Sequence, residues 1–336
     1  MSRRRLLIRL LYSFALLCAA LVTVGIVLLL ESKDRIFDQS VARVDTVEET
    51  DVAFPVSVNI HTKKIVEDPA VNDFFTETLA NSTESEYNWW NQMAALLFAN
   101  DWYQNLASPV SRIVVIWPGE RKEEVTKHIG DVLRWSEEDR EDFQLLMDTA
   151  PPVLTEGKYF PGQYVTHRYA TPHDVADTIY TSLEDEVFSR YTNEVAAQVP
   201  LEDALIIASL IEREASSFSN MREVSGVIWN RLFIDMPLQL DATLQYVRGS
   251  KTYEPAWWPV VRPRDKFIDS PYNTYQNEGL PPAPIASPST EAILAALNPI
   301  QTECLFYFHT DDGGYYCSET YEEHVQKLRS LYGRGK

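Results

Sequence analysis

Between residues 111 and 336 the apolar positions fall into short alternating runs and longer stretches at helical spacing. Residues 112–117 alternate as a strand does and stop at Pro118-Gly119. A helix is predicted after it, buried on Val125, Ile129, Val132 and Leu133. Ser136 then resembles an N-cap, with acidic residues in the next turn where the helix dipole favours them. Thr171-Pro172 opens another helix with proline at its first position and an apolar face of Val175, Ile179, Leu183 and Val187. Further helices are expected over 201–216 and over 221–234, the latter on Val224, Val227, Ile228 and Leu232 and ending before Pro237. A short helix should run from Ser287-Pro288 to Asn298-Pro299. Residues 305–308 and 315–317 read as a hairpin, and Thr320 with Glu323 forms a capping-box start for the last helix. Helices and short antiparallel strands are segregated, which makes the fold class α+β, without internal repeats.

Upstream the pattern changes. Residues 6–30 are apolar apart from Arg9 and small polar residues, long enough to span a bilayer with some tilt. Arg3, Arg4 and Arg5 precede this run and place residues 1–5 in the cytoplasm, while Arg9 can snorkel towards the headgroups. A cleaved signal peptide fits less well, because the run exceeds an ordinary h-region and lacks a small-x-small exit. The expectation is a single N-terminal transmembrane helix, uncleaved, followed by an extracytoplasmic α+β catalytic region. Residues 31–110 form a membrane-proximal region: a polar, acidic stalk to about residue 55, a short strand over 56–60, and an aromatic helix over 86–106 with Trp89, Met93, Leu96 and Leu97 on one side.

The formal charge is −19, and the four arginines of the anchor region precede every acidic residue, so the exported part carries about −23. Such a domain is a poor partner for nucleic acid or anionic lipid. From Arg213 to Lys266, however, eight basic residues face six acidic ones, a surface suited to a polymer whose peptide stems carry carboxylates, or a chance fluctuation in a short window. Six histidines are scattered without paired-ligand spacing, so no metal or other cofactor is expected. Cys18 lies in the anchor; Cys304 and Cys317 flank the hairpin in a compartment that permits disulfides. A turn at Asp311-Asp-Gly-Gly314 would set Cys317 opposite Phe308 rather than Cys304, which makes a bridge geometrically doubtful.

The candidate chemistry lies in Ala208-Ser-Leu-Ile-Glu-Arg-Glu-Ala-Ser216. At 100° per residue, Ile207 sits about 20°, Leu210 about 40° and Ile211 about 60° from Glu214, while Glu212 falls about 160° away. Glu214 therefore continues an apolar stripe, and Glu212 shares its face with Leu205, Ala208 and Ser209. A carboxyl held against apolar neighbours has a raised pKa, as a general acid near neutral pH requires. Helix ends also collect charge, so the pattern equally fits two solvated glutamates with Arg213 between them.

Downstream follow Val227-Ile-Trp-Asn-Arg-Leu232, Leu238-Gln-Leu-Asp-Ala-Thr-Leu-Gln-Tyr246, Ser270-Pro-Tyr-Asn-Thr-Tyr275, Gly279-Leu-Pro-Pro282, Ile285-Ala-Ser-Pro288 and Ala295-Ala-Leu-Asn-Pro299. In this order the sequence closely resembles the endolytic murein transglycosylases, the MltG or YceG-like family. The likeness extends back more weakly through Ile113-Val-Val-Ile-Trp-Pro-Gly-Glu120 and Glu156-Gly-Lys-Tyr-Phe-Pro-Gly162, so 111–336 is the YceG-like region, with its catalytic core at about 199–336. Related enzymes often carry a LysM-like module in the membrane-proximal region; 31–110 shows no clear trace of one.

The resemblance implies an endolytic lytic transglycosylase that cuts the MurNAc–GlcNAc bond of nascent peptidoglycan strands and leaves 1,6-anhydro-MurNAc ends. It places the catalytic acid on Glu214 and implies work beside cell-wall synthases, limiting strand length. Substrate contacts would come from Asn230, Arg231, Asp241, Tyr272, Asn273 and Tyr275. Asn230 and Arg231 can bind acetamido or carboxyl groups or brace the following loop. Asp241 can orient the site, cap the next helix, or act as the second carboxylate of a hydrolase. The last option defines an alternative, a lysozyme-like muramidase with Glu214 as acid and Asp241 as partner. A non-catalytic glycan-binding scaffold is the third reading. Trp257 and Trp258 serve as sugar platforms or as core.

Overall fold

The computed structural model describes residues 52–67, 111–215, 218–249, 256–310 and 314–333. The apolar run over 6–30, the acidic stretch to residue 51 and the helix expected over 86–106 lie outside them. Among the described residues no helix is long and apolar enough to cross a membrane. Val58–Asn59 (β1) and Lys64–Ile65 (β2) pair antiparallel. The chain just before β1 is not the free stalk its composition implies. Phe54 is 2% exposed and donates its N–H to Arg190 O, and Ser57 N–H donates to Leu297 O. Burial of Phe54 and Val58 with these backbone bonds docks this end on the core.

Ser111–Ile116 (β3), Lys122–Leu133 (α1), Glu137–Thr149 (α2) and Gly162–His167 (β4) form a βααβ unit. The strands are antiparallel, with Ser111 opposite His167 and Ile116 opposite Gly162. Alternation in β3 buries Val114 and Ile116, and α1 buries Val125, Ile129 and Leu133. Ser136 caps α2 as expected: its side chain accepts from Asp139 N–H and the Asp139 carboxylate accepts from Ser136 N–H. β4 has no counterpart in the sequence reading. Its alternation is weak because Tyr164 is its one buried residue.

Pro172–Leu183 (α3) starts at the Thr171 cap, and its predicted face is buried through Val175, Ile179, Leu183 and, beyond a wide turn at Glu184–Phe188, Val187. Asn193–Gln198 (α4) leads into Leu201–Glu214 (α5), in which every residue from Ala204 to Ile211 is buried. Phe218–Phe233 (α6), Asp241–Gly249 (α7) and Thr290–Leu297 (α8) pack around it. α8 starts at Thr290 rather than at Ser287-Pro288, since Ser289 supplies the cap by accepting from Ala292 N–H. Alanines in α5 and α8 leave little bulk between the two backbones. Phe306–His309 (β5) and Tyr315–Ser318 (β6) form the predicted hairpin, followed by Tyr321–Tyr332 (α9) with its Thr320–Glu323 capping box. The architecture is α+β, with three separate two-stranded antiparallel pairs among the described residues.

Two units meet near the end of α5. Arg121, fully buried, binds Glu123 through Nε at 2.7 Å and Nη2 at 3.1 Å, and donates from Nη1 to Tyr246 O of α7 at 3.1 Å. The βααβ unit is thereby fixed to the helix that faces Glu214.

Candidate active site

α5 stops at Glu214 because Ala215 turns to extended backbone (φ −110°, ψ 149°), and two elements, β5 and α7, converge on the carboxyl that this leaves. Tyr307 of β5 donates its hydroxyl to Oε2 at 3.0 Å. The Ala242 amide, in the first turn of α7, also donates to the carboxyl. Asp241, the first residue of α7, places a negative charge nearby. Burial is the largest influence and pushes the Glu214 carboxyl up to about 7, with Asp241 adding to it, against the opposing Tyr307 hydroxyl, Ala242 amide and Arg213 guanidinium. A carboxyl with that value exists in both protonation states at neutral pH.

The stripe argument separates the two glutamates, and here the structure corrects it. α5 is buried on both faces, Leu205, Ala208 and Ser209 included, so the Glu212 carboxyl is largely withdrawn from water too and burial raises its pKa as well. Partners distinguish them. Glu212 Oε2 accepts from Ser289 N–H at 2.9 Å and from Ser289 Oγ at 2.6 Å, and thus ties α5 to the cap of α8. Glu212→Ala strands both donors and should cost about 1–3 kcal/mol. A thermal melt should register that loss while the rate per folded molecule stays near wild type.

Arg213 faces the βααβ unit. Its guanidinium lies 3.9 Å from the Trp258 ring centroid, and Nη1 donates to Gly119 O at 3.4 Å. Gly119 has φ +80°, and a Cβ there would sit 3.1 Å from Arg213 Nη1, so glycine suits both the backbone and the close approach. Trp258 in turn donates Nε1–H to Glu124 of α1 at 2.9 Å. Trp258 and Trp257 are half-buried and stand beside arginines, with Arg121 5.2 Å from the Trp257 ring.

Of the residues expected to bind substrate, Asp241 and Tyr275 join Glu214. Tyr275 donates its hydroxyl to Asp241 Oδ1 at 2.7 Å, and Lys266 Nζ lies 4.6 Å from the Tyr275 ring centroid. Tyr272 packs against α7, its ring 4.9 Å from that of Tyr246. Asn273 is fully buried and donates to Lys266 O and Ile268 O, while its Oδ1 accepts from Tyr275 N–H at 3.0 Å. Asn230 donates to Thr302 O at 2.7 Å and to Cys304 O at 3.0 Å. Arg231 donates to Leu305 O at 2.6 Å and also to Pro237 O and Leu238 O. These three side chains brace backbone around the site.

Cys304 and Cys317 are bonded, with Cα atoms 5.7 Å apart, which corrects the expectation of an unbridged pair. The hairpin register sets Cys317 opposite Tyr307 instead of Phe308, and the chain ahead of β5 stays alongside, Leu305 N–H donating to Ser318 O. That path brings Cys304 within reach. Tyr307 itself was missed in the sequence. It is one aromatic among several in a hairpin 93 residues from Glu214, and no local pattern marks it.

A model of the YceG-like family matches residues 46–330. The chain belongs to the YceG-like family. Its curated relatives include the endolytic murein transglycosylase of Streptococcus pneumoniae serotype 2 (strain D39), 32% identical over 183 residues, covering 54% of this chain and 33% of that one. The endolytic murein transglycosylase of Bacillus subtilis (strain 168) is 34% identical over 188 residues, covering 53% of this chain and 48% of that one. The match thus spans between a third and a half of those relatives' length. Among solved structures, a YceG-like protein of Listeria monocytogenes aligns with a TM-score of 0.55 at 28% identity, over 64% of this chain and 75% of that one.

Proposed function

We propose that this YceG-like chain is an endolytic lytic transglycosylase of peptidoglycan in which Glu214 acts first as acid and then as base. Glu214 protonates the leaving oxygen between N-acetylmuramic acid and N-acetylglucosamine as the glycosidic bond breaks through an oxocarbenium-like state. The resulting carboxylate takes the proton from the muramyl C6 hydroxyl, whose oxygen closes the 1,6-anhydro ring at C1. Water takes no part, so a second catalytic carboxylate is unnecessary. The observation that carries this reading is the Glu214 carboxyl, pushed up by burial to about 7 and addressed by the Tyr307 hydroxyl and the Ala242 amide. The murein transglycosylase relatives support the substrate class.

Asp241, Tyr272 and Tyr275 are the residues we assign to the sugar, with Asn230, Arg231 and Asn273 acting on it through the backbone they hold. The run over 6–30 would tether the catalytic region outside the membrane, close to newly made strands and to the synthases that extrude them, and cleavage there would limit strand length.

Mass spectrometry of purified glycan strands treated with the full chain decides the reaction type. Anhydromuramyl ends are the expected product; reducing ends would make the enzyme a muramidase with Asp241 as the partner of Glu214. A free enzyme that must start protonated loses activity as pH rises through about 7. Asp241→Asn removes a charge that holds the Glu214 proton, so this limb should move to lower pH while anhydro ends persist. Loss of all cleavage in that variant, with the fold retained, would favour the hydrolase.

A further inference from the structure

The hairpin β5–β6 contributes one polar contact to the site, and the fold secures it from several sides. Tyr307 pairs across the strands with Cys317, and Cys317 is bonded to Cys304, three residues before Tyr307. The disulfide therefore closes the hairpin at the level of Tyr307. From α6, Asn230 grips the carbonyls of Thr302 and Cys304, and Arg231 grips that of Leu305. The Tyr307 ring is stacked on Tyr315 at 6.0 Å between centroids and 25° between planes. Held in this way, its hydroxyl points at Glu214 Oε2 from 3.0 Å. Burial pushes the Tyr307 phenol well above its ordinary value, so it remains a donor and is not itself an acid in the reaction.

We infer that Tyr307 is a positioning residue for Glu214, and that the Cys304–Cys317 bridge with the Asn230–Arg231 clasp serves to hold it there. A glutamate at a frayed helix end has several rotamers, and a carboxyl that must both give and take a proton needs one orientation throughout the reaction. A donor on a fixed strand supplies that orientation before substrate arrives. This inference rests on Glu214 being the acid, and its test includes a measurement that does not depend on activity.

Tyr307→Phe should lower kcat by about tenfold and change KM by less than about twofold, since a hydrogen bond to a charged group is lost without a sugar contact. The charged and titratable groups around Glu214 are Asp241, Arg213, Arg231, Tyr275 and Tyr307. Of these only Tyr307 changes, and its hydroxyl favours the ionised carboxylate, so the alkaline limb should move to higher pH. The paired substitution Cys304→Ser with Cys317→Ser should lower kcat in wild type yet add nothing in the Tyr307→Phe background. Carbon-13 titration of the Glu214 carboxyl, assigned with Glu214→Gln, should show the same upward move in Tyr307→Phe and in wild type treated with dithiothreitol. If Glu214→Gln still cleaves, the acid assignment fails while the titration still decides whether Tyr307 governs this carboxyl. An unmoved titration in Tyr307→Phe overturns the inference, as does a wild-type kcat. A cysteine substitution that slows wild type and Tyr307→Phe equally would show the bridge acting elsewhere.

Discussion

Replacing Glu214 by glutamine is expected to reduce formation of anhydro ends by about 10³-fold or more, because in the proposed reaction one side chain supplies both proton transfers. Glutamine keeps the shape and can still accept from Tyr307 and Ala242, so the fold should survive. Stability should rise at alkaline pH. The folded-state pKa, about 7, lies above the ordinary glutamate value of about 4.5, so the native protein holds a proton that the unfolded chain releases in between. Wild-type stability is consequently full below that window and declines as pH climbs through it, by about 3 kcal/mol at most. The glutamine variant lacks this decline. Melts at pH 5 and pH 8 beside product assays measure both effects, and a variant retaining more than about a tenth of the rate would be incompatible with proton transfer by Glu214.

Gly226→Ala should disrupt the packing of α6 against the segment that leads to the hairpin. Arg222, Gly226 and Asn230 lie four residues apart on one stripe of α6, under the segment that leads to the hairpin. Arg222 Nε donates to Asn298 O and its own carbonyl accepts from Ile300 N–H, and Asn230 grips Thr302 and Cys304. At Gly226 an added methyl would come 2.4 Å from Ile300 O and 3.0 Å from Thr302 Cγ2. Backbone oxygen cannot swing away as a side chain can, so the segment must lift, at about 1–3 kcal/mol or more. A melting point lower by about 2–10 °C follows for a region of this size. The lifted segment includes the approach to Tyr307, so activity per folded molecule should fall too. A melt within about 1 °C of wild type would mean that the segment yields freely.

What the sequence disclosed follows from the range of the forces involved. Helical periods and caps are local, so α1, α3, α6 and α9 were legible, together with the Ser136 cap and the Thr320 capping box. β4 was hidden because pairing with β3 fixes it and its own burial is confined to Tyr164. Glu214 was legible as a candidate, though for an incomplete reason. A helical wheel cannot represent a helix buried on both faces, and it separated Glu212 from Glu214 by stripe where their partners are what distinguish them. The Cys304–Cys317 bond depended on a register one residue away from the one inferred from the turn. Tyr307 and the Ala242 amide reach Glu214 only through tertiary packing, which no local pattern encodes.

The docking of the leading segment gives the molecule a line along which force can travel. Ser57 N–H is bonded to Leu297 O, and Asn298 Nδ2 to Pro55 O at 2.7 Å, so the incoming chain is fastened to the C-terminal end of α8. The opposite end of α8 is Ser289, bonded to Glu212, two residues before Glu214. Tension on the chain would meet Arg190 first, through Val52 and Phe54, and then α8 through Pro55 and Ser57, whose far end leads to the helix turn that bears Glu214. In the function proposed above, a glycan strand dragging on the site and a restraint on the upstream chain would load Glu214 from opposite sides, making mechanical pull a variable of the proposed cleavage rate.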